Sequence, residues 1–162
     1  MHAIRLHEFG PADNLRYEER PDIHPAPGQV RVAVGAAGVH VVDTVLRAGE
    51  YRGGPMPLPD LPTIPGREVA GTVDAVGAGV DRSWLGRRVV VHLGMVPGGY
   101  ASQAVAAAAS LHELPEGVSA AAAVAMIGTG RTTMAILDGA ALVPDDVVLV
   151  TAAADGIGSL LV

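Results

Sequence analysis

Residues 147–162 read VVLVTAAADGIGSLLV: four aliphatic residues, a run of small residues that closes on glycine, and a short apolar end. The pattern predicts a buried strand over Val147 to Val150, a tight corner, and the first turns of a helix. Dinucleotide-binding folds begin in this way, because backbone N–H groups at the helix start can face a pyrophosphate. Such a unit buries its apolar faces only with further parallel strands and crossover helices. The expectation is one domain followed by the opening of a second, in an excerpt, a gene fragment or a naturally truncated relative of a longer enzyme.

The rest of the chain is consistent with a soluble core of small side chains. Hydrophobic residues make up 49% of the 162, yet only 3% are aromatic, so alanine, valine and glycine must fill the interior. Eleven basic residues against 17 acidic ones give a net charge of −6, which argues against nucleic acid or an anionic membrane as the main partner. With no cysteine there is no disulfide, thiolate metal site or cysteine nucleophile. The N-terminus lacks the apolar core of a secretory signal. No uninterrupted apolar run approaches the roughly 20 residues of a bilayer span, Ala104 to Ala109 and Ala120 to Ile127 being the nearest. A cytoplasmic protein is expected.

From residue 2 to about 114 short apolar or alternating runs recur between turn signals. Strands are predicted over His2 to Leu6, Gln29 to Gly35, Glu68 to Gly77, Arg87 to Leu93 and Tyr100 to Val105, which favours a sandwich or a partly open barrel. A helix over His40 to Ala48 places Val41, Val45 and Ala48 on one stripe, with Gly49 as its C-cap. Residues 55–66, PMPLPDLPTIPG, hold five of the 12 prolines. They read as a rigid loop rather than as a free proline-rich ligand, because strands flank them. Beyond Leu114, Ser119 is a candidate N-cap, and Ala120 to Ile127 and Arg131 to Leu137 read as two helical pieces broken by Gly128 and Gly130. The boundary between domains is placed near residue 115.

Five segments carry a family resemblance: GVHVVDTVLRAGEY (38–51), PTIPGREVAGTVDAVGAGV (62–80), GRRVVVHLGMVPGGYASQAV (86–105), LPEGVSAAAAVAMIGTGRTT (114–133) and VVLVTAAADGIGSLLV (147–162). In order and spacing they resemble the N-terminal half of the medium-chain dehydrogenases/reductases, on the zinc-free quinone oxidoreductase side. The resemblance implies a mainly β, GroES-like, partly open barrel over 1–115, a substrate and catalytic domain. The truncated start of an α/β Rossmann domain would follow over 116–162. It also implies NADPH as cofactor, a small quinone or α,β-unsaturated carbonyl as substrate, and a homodimeric parent enzyme.

The zinc-dependent relatives have a cysteine at the position that resembles His40, and a Gly-His-Glu motif that is Gly66-Arg67-Glu68 here. A guanidinium cannot ligate a metal, so zinc catalysis is not expected. His2 and His7 fall on opposite faces of a strand and His24, His92 and His112 are scattered, so no histidine pair has ligand spacing. Small side chains over 94–99 leave room for a substrate.

Without zinc, the protein has to orient hydride donor and acceptor and steady the developing oxyanion. The resemblance puts His40 near the nicotinamide, where quinone oxidoreductases usually have asparagine. It makes Tyr51, in Arg47-Ala48-Gly49-Glu50-Tyr51, a proton-donor candidate. Asp43 reads as structural. Gly130-Arg131-Thr132-Thr133 is similar to a family motif whose threonine approaches the nicotinamide end, which makes Thr132 a cofactor contact. Ala153, Asp155, Gly156, Ile157 and Gly158 resemble the cofactor-binding corner. Asp155 stands where the family usually has glycine, so its carboxylate either turns to solvent, perhaps capping the helix, or weakens cofactor binding. The competing expectation is a non-catalytic GroES-like binding or scaffold module, whose exposed apolar tail would need a partner.

Overall fold

The computed structural model describes residues 1–50 and 57–162. Among these described residues, seven strands and three α-helices form in the order β1 (His2–Leu6), β2 (Leu15–Glu19), β3 (Gln29–Ala37), α1 (Val41–Ala48), β4 (Glu68–Val76), β5 (Arg88–His92), β6 (Gln103–Ala107), β7 (His112–Glu113), α2 (Ala120–Ala140) and α3 (Gly158–Leu161). Five strands make one antiparallel sheet in the order β6-β3-β4-β5-β7, and β1 and β2 form a separate ribbon. Isolated bridges, Ala3 to Ala101 and Leu6 to Thr63, hold the ribbon against the rest without closing a cylinder. The GroES-like, partly open barrel is the result.

Side-chain alternation explains its two cores. Val69 and Val73 of β4 and Val89 and Val91 of β5 face inward, where they meet Val30 and Val32 of β3 and Ala104 of β6. The intervening Ala70 and Val90 face the other way and pack against Ala123, Val124 and Ile127 of α2. Buried on both faces, β4 and β5 therefore read as nearly continuous apolar runs. The outer strand β2 (LRYEE) shows no such run, and with β7 it was not anticipated.

Four expectations need correction. The strand predicted over Tyr100 to Val105 is displaced: residues 100–102 bond across to β1, and the β3-paired strand begins at Gln103. Gly128 and Gly130 do not break a helix. Ser119 caps Ala122 N at 3.1 Å, and α2 runs unbroken for 21 residues because docking on the sheet outweighs the roughly 1 kcal/mol that a helical glycine costs. By length and composition this helix is long and apolar enough to cross a bilayer, contrary to the reading of its two halves; four of its residues, Ala123, Val124, Ile127 and Thr133, are buried. Val147 to Val150 form no strand, since no ladder partner stands beside them among the described residues.

α1 ends as expected, on Gly49 in the left-handed conformation (φ 75°). The proline-rich loop, from residue 57 onward, forms no strand: Thr63 bridges to Leu6, and the Pro65 and Gly66 carbonyls accept from Tyr100 N and Gly99 N.

The two kinds of helical glycine give opposite outcomes. A Cβ on Gly128 would stand 2.7 Å from the Glu68 carboxylate and 3.1 Å from the His40 ring, whereas one on Gly139 meets nothing within 4 Å. Gly128→Ala is expected to destabilise the fold by about 1–3 kcal/mol and Gly139→Ala to stabilise it by about 0.5–1 kcal/mol. Urea denaturation of the two variants beside the parent chain measures both.

Candidate functional site

Glu68 is the first residue of β4 and lies opposite His92, the last residue of β5, in the antiparallel register. Its side chain is only 4% exposed, and a buried carboxylate needs partners. His40 supplies one, with Nε2 2.5 Å from Glu68 Oε2. His92 Nε2 lies 3.8 Å from Oε1, near enough for charge to act but too far for a hydrogen bond. Gly38 and Gly128 keep this position clear, because a Cβ on either would crowd the Glu68 carboxylate.

The His92 tautomer follows from its other nitrogen. Gly94 N–H donates to His92 Nδ1 at 2.9 Å, so Nδ1 accepts and the proton of the neutral ring sits on Nε2. Burial pushes the His92 pKa below its ordinary value. Glu68 opposes that shift, while Arg131, Arg67 and His40 add to it.

His40 caps the start of α1. Its backbone N–H donates to Asp43 Oδ2 at 2.9 Å, and the Tyr100 hydroxyl donates to the same oxygen at 2.8 Å. Burial and the Asp43 carboxylate push the Tyr100 pKa far up, so the phenol remains a donor. Asp43 is itself buried and is structural, as expected. The Tyr100 ring occupies the space that a Gly66 Cβ would take, and Gly66 has a left-handed φ of 83°. Gly99 N to Gly66 O and Tyr100 N to Pro65 O, both 2.9 Å, fix the backbone just before Arg67.

These elements enclose a cleft of about 580 Å³, whose lining includes His40, Arg67, Glu68, His92, Gly128, Thr129, Arg131, Thr132 and Ile157. The Thr132 hydroxyl donates to Gly128 O at 3.0 Å, so its oxygen can still accept. On the far side of Arg67 lies a second cavity of about 360 Å³, lined in part by Asp43, Met95 and Pro97. From the 94–99 segment it is the larger Met95 and Pro97, not the glycines, that line this space.

Of the residues anticipated from sequence, His40, Thr132 and Ile157 share the cleft. Tyr51 lies outside the described residues. Gly156 approaches α2, where its Cβ would meet Thr129 Cγ2 at 3.4 Å, and Gly158 is packed against the Ala152 carbonyl. Ala153 and Asp155 are exposed on the corner. The Asp155 carboxylate caps nothing among the described residues, although its backbone carbonyl accepts from Ser159 N at 2.8 Å. The amides of Gly156 and Ile157 find no acceptor among the described residues. Glu68, His92 and Arg131 were not singled out as site residues. An acid opening an apolar strand was the signal for Glu68; the other two are brought in only by strand pairing and by the continuity of α2.

The family model described as the alcohol dehydrogenase GroES-like domain matches residues 26–116. A quinone oxidoreductase from Pseudomonas aeruginosa is 35% identical over 156 residues, covering 96% of this chain and 46% of that protein. One from Sus scrofa is 34% identical over 160 residues, with coverage of 98% and 47%. The crystal structure of Escherichia coli quinone oxidoreductase complexed with NADPH superposes with a TM-score of 0.85 at 32% identity, over 99% of this chain and 48% of that one. The chain spans about half the length of the curated relatives it matches.

The charges around His92 make its titration a test of the cleft. Glu68→Gln is expected to lower the His92 pKa further and Arg131→Met to raise it, both read from the ring Cε1–H signal in a pH series. Because the folded-state pKa is depressed, the stability contributed by His92 is complete above its ordinary value of 6.5 and is lost as pH falls through the folded pKa.

Proposed function

The chain belongs to the medium-chain dehydrogenase/reductase family, with a GroES-like domain and quinone oxidoreductase relatives, and from that premise we propose that it contributes the substrate side of an NADPH-dependent reductase of quinones or α,β-unsaturated carbonyls. The observation that carries this reading is the cleft in which His40, Thr132 and Ile157 meet beside the buried Glu68. In the overall reaction a quinone, NADPH and a proton give a hydroquinone and NADP+. NADPH, when bound, supplies the hydride.

The residues of the corner fit such a cofactor in two respects. Gly156 and Gly158 present no side chain, and the amides of Gly156 and Ile157 have acceptors to gain. Thr132, Ala153, Asp155, Gly156, Ile157 and Gly158 are the proposed cofactor contacts, Asp155 through its backbone. His40 is the proposed orienter of the substrate carbonyl, held at the α1 start by Asp43 and Glu68. Tyr51 is the proposed proton donor. Residues 1–115 would form the substrate domain and 116–162 the opening of the cofactor domain. A homodimeric, cytoplasmic parent enzyme that works without zinc, nucleic acid or membrane completes the proposal.

A GroES-like binding or scaffold module is the second reading. It is favoured by the apolar Val147 and Leu149, which are 101% and 88% exposed and which a partner would cover.

The two readings separate in one experiment. For a protein spanning the full length of the relatives, the reductase reading expects saturable quenching of NADPH fluorescence and quinone-dependent loss of NADPH absorbance, and it expects residues 1–162 by themselves to be inactive. Asp155→Gly is expected to tighten the cofactor by about threefold, the order of one screened charge–charge repulsion. Neither binding nor turnover in the lengthened protein, with or without Asp155→Gly, favours the scaffold.

A further inference from the structure

The cleft has a polarity that the composition of the chain does not foreshadow. Net charge is −6, yet five titratable groups line this space and only Glu68 among them is acidic. Its carboxylate is buried and committed to His40. Arg131 and His92 are the cationic or cationisable groups on which the proposal rests, and Arg67 and His40 share the same lining. Arg131 is exposed on α2 and makes no hydrogen bond or ion pair among the described residues. Since Gly94 occupies His92 Nδ1, the Nε2–H is the donor that this ring can offer, and Glu68 Oε1 at 3.8 Å does not take it.

We propose that this cleft selects substrates carrying a carboxylate, such as a quinone or enone with an acidic substituent, held by the Arg131 guanidinium and His92 Nε2–H. The inference rests on the reductase reading and names its substrate class. A planar guanidinium beside a ring N–H matches a two-oxygen acceptor. A neutral substrate would offer Arg131 and the His92 Nε2–H no charged acceptor, and this difference is what creates discrimination.

The test is binding by the chain without cofactor. The probes are 2,5-dihydroxybenzoate, the reduced form of a carboxylated quinone, and its neutral amide, 2,5-dihydroxybenzamide. Affinities are taken from calorimetry and location from the ring signals of His40 and His92. The acid is expected to bind at least about tenfold more tightly than the amide, with saturable shifts at both histidines, an energy difference near 1.4 kcal/mol. Arg131→Met should remove most of that ratio and Arg131→Lys should keep part of it. Equal affinity for acid and amide, binding of neither, or a ratio unchanged in Arg131→Met overturns the inference. Inorganic phosphate that competes at equal affinity also overturns it, in favour of a plain oxyanion site. Failure here with a neutral quinone still reduced by the lengthened protein removes only the carboxylate preference. Tight binding of the acid where the lengthened protein binds no NADPH removes the reductase reading and leaves the anion site standing.

Discussion

One buried carboxylate organises the functional side of this molecule. Glu68 opens the central strand β4 in a core of small aliphatic residues, where an unpaired charge would cost several kcal/mol. Its needs are met from three directions. His40, at the start of α1, gives a hydrogen bond; His92, at the end of β5, gives a nearby dipole; α2 gives space by presenting Gly128. Gly38 contributes from the chain side, with its N–H bonded to Glu68 O at 2.9 Å and its missing Cβ leaving room for the carboxylate. None of these elements could move by a side-chain width without exposing or orphaning the acid. The cleft is in this sense a by-product of satisfying Glu68.

Asp43 does the complementary work on the other side of His40. By accepting from His40 N–H and from the Tyr100 hydroxyl, it ties the first turn of α1 to the strand that crosses from β1 to β3. Tyr100 in turn needs Gly66, so Arg67 follows a backbone held by two hydrogen bonds and a ring contact. His40 thus stands between two acids, one holding its main chain and one its imidazole. A histidine held at both ends keeps one orientation, so its ring is a fixed part of the cleft wall.

How much of this could be read in advance depended on the range of the interaction. β3, β4 and β5 announce themselves through alternating or continuous valines, β1 through a short apolar run, and α1 through its stripe and Gly49, because these signals lie within one element. The Ser119 cap is local in the same way. β2 was hidden because Leu15–Glu19 is charged and pairs only with β1. The continuity of α2 was hidden because Gly128 and Gly130 look like breakers until Glu68, 60 residues earlier, is seen to need the space. The pairing of Glu68 with His92 is likewise a fact of register, which no local pattern encodes. His40 and Thr132 were legible through family resemblance, but not the hydrogen bonds that hold them.

The substitution that removes a metal ligand also changes what the position can do. A histidine at 67 would offer a lone pair; Arg67 offers a permanent charge and five donors. With Arg131 on the facing helix and the one lining carboxylate among the described residues buried, the electrostatics of the cleft shift from electron-pair donation toward attraction of negative charge. Such fixed charges require no reorganisation as an oxyanion develops. The same arrangement would then serve twice, drawing in an acidic substrate and steadying the phenolate or enolate formed from it. Glu68 limits how far this can go. Bonded to the His40 imidazole, it keeps the cleft from becoming uniformly positive, so under the proposal an anion is drawn toward Arg131 and His92 and away from the Glu68 side.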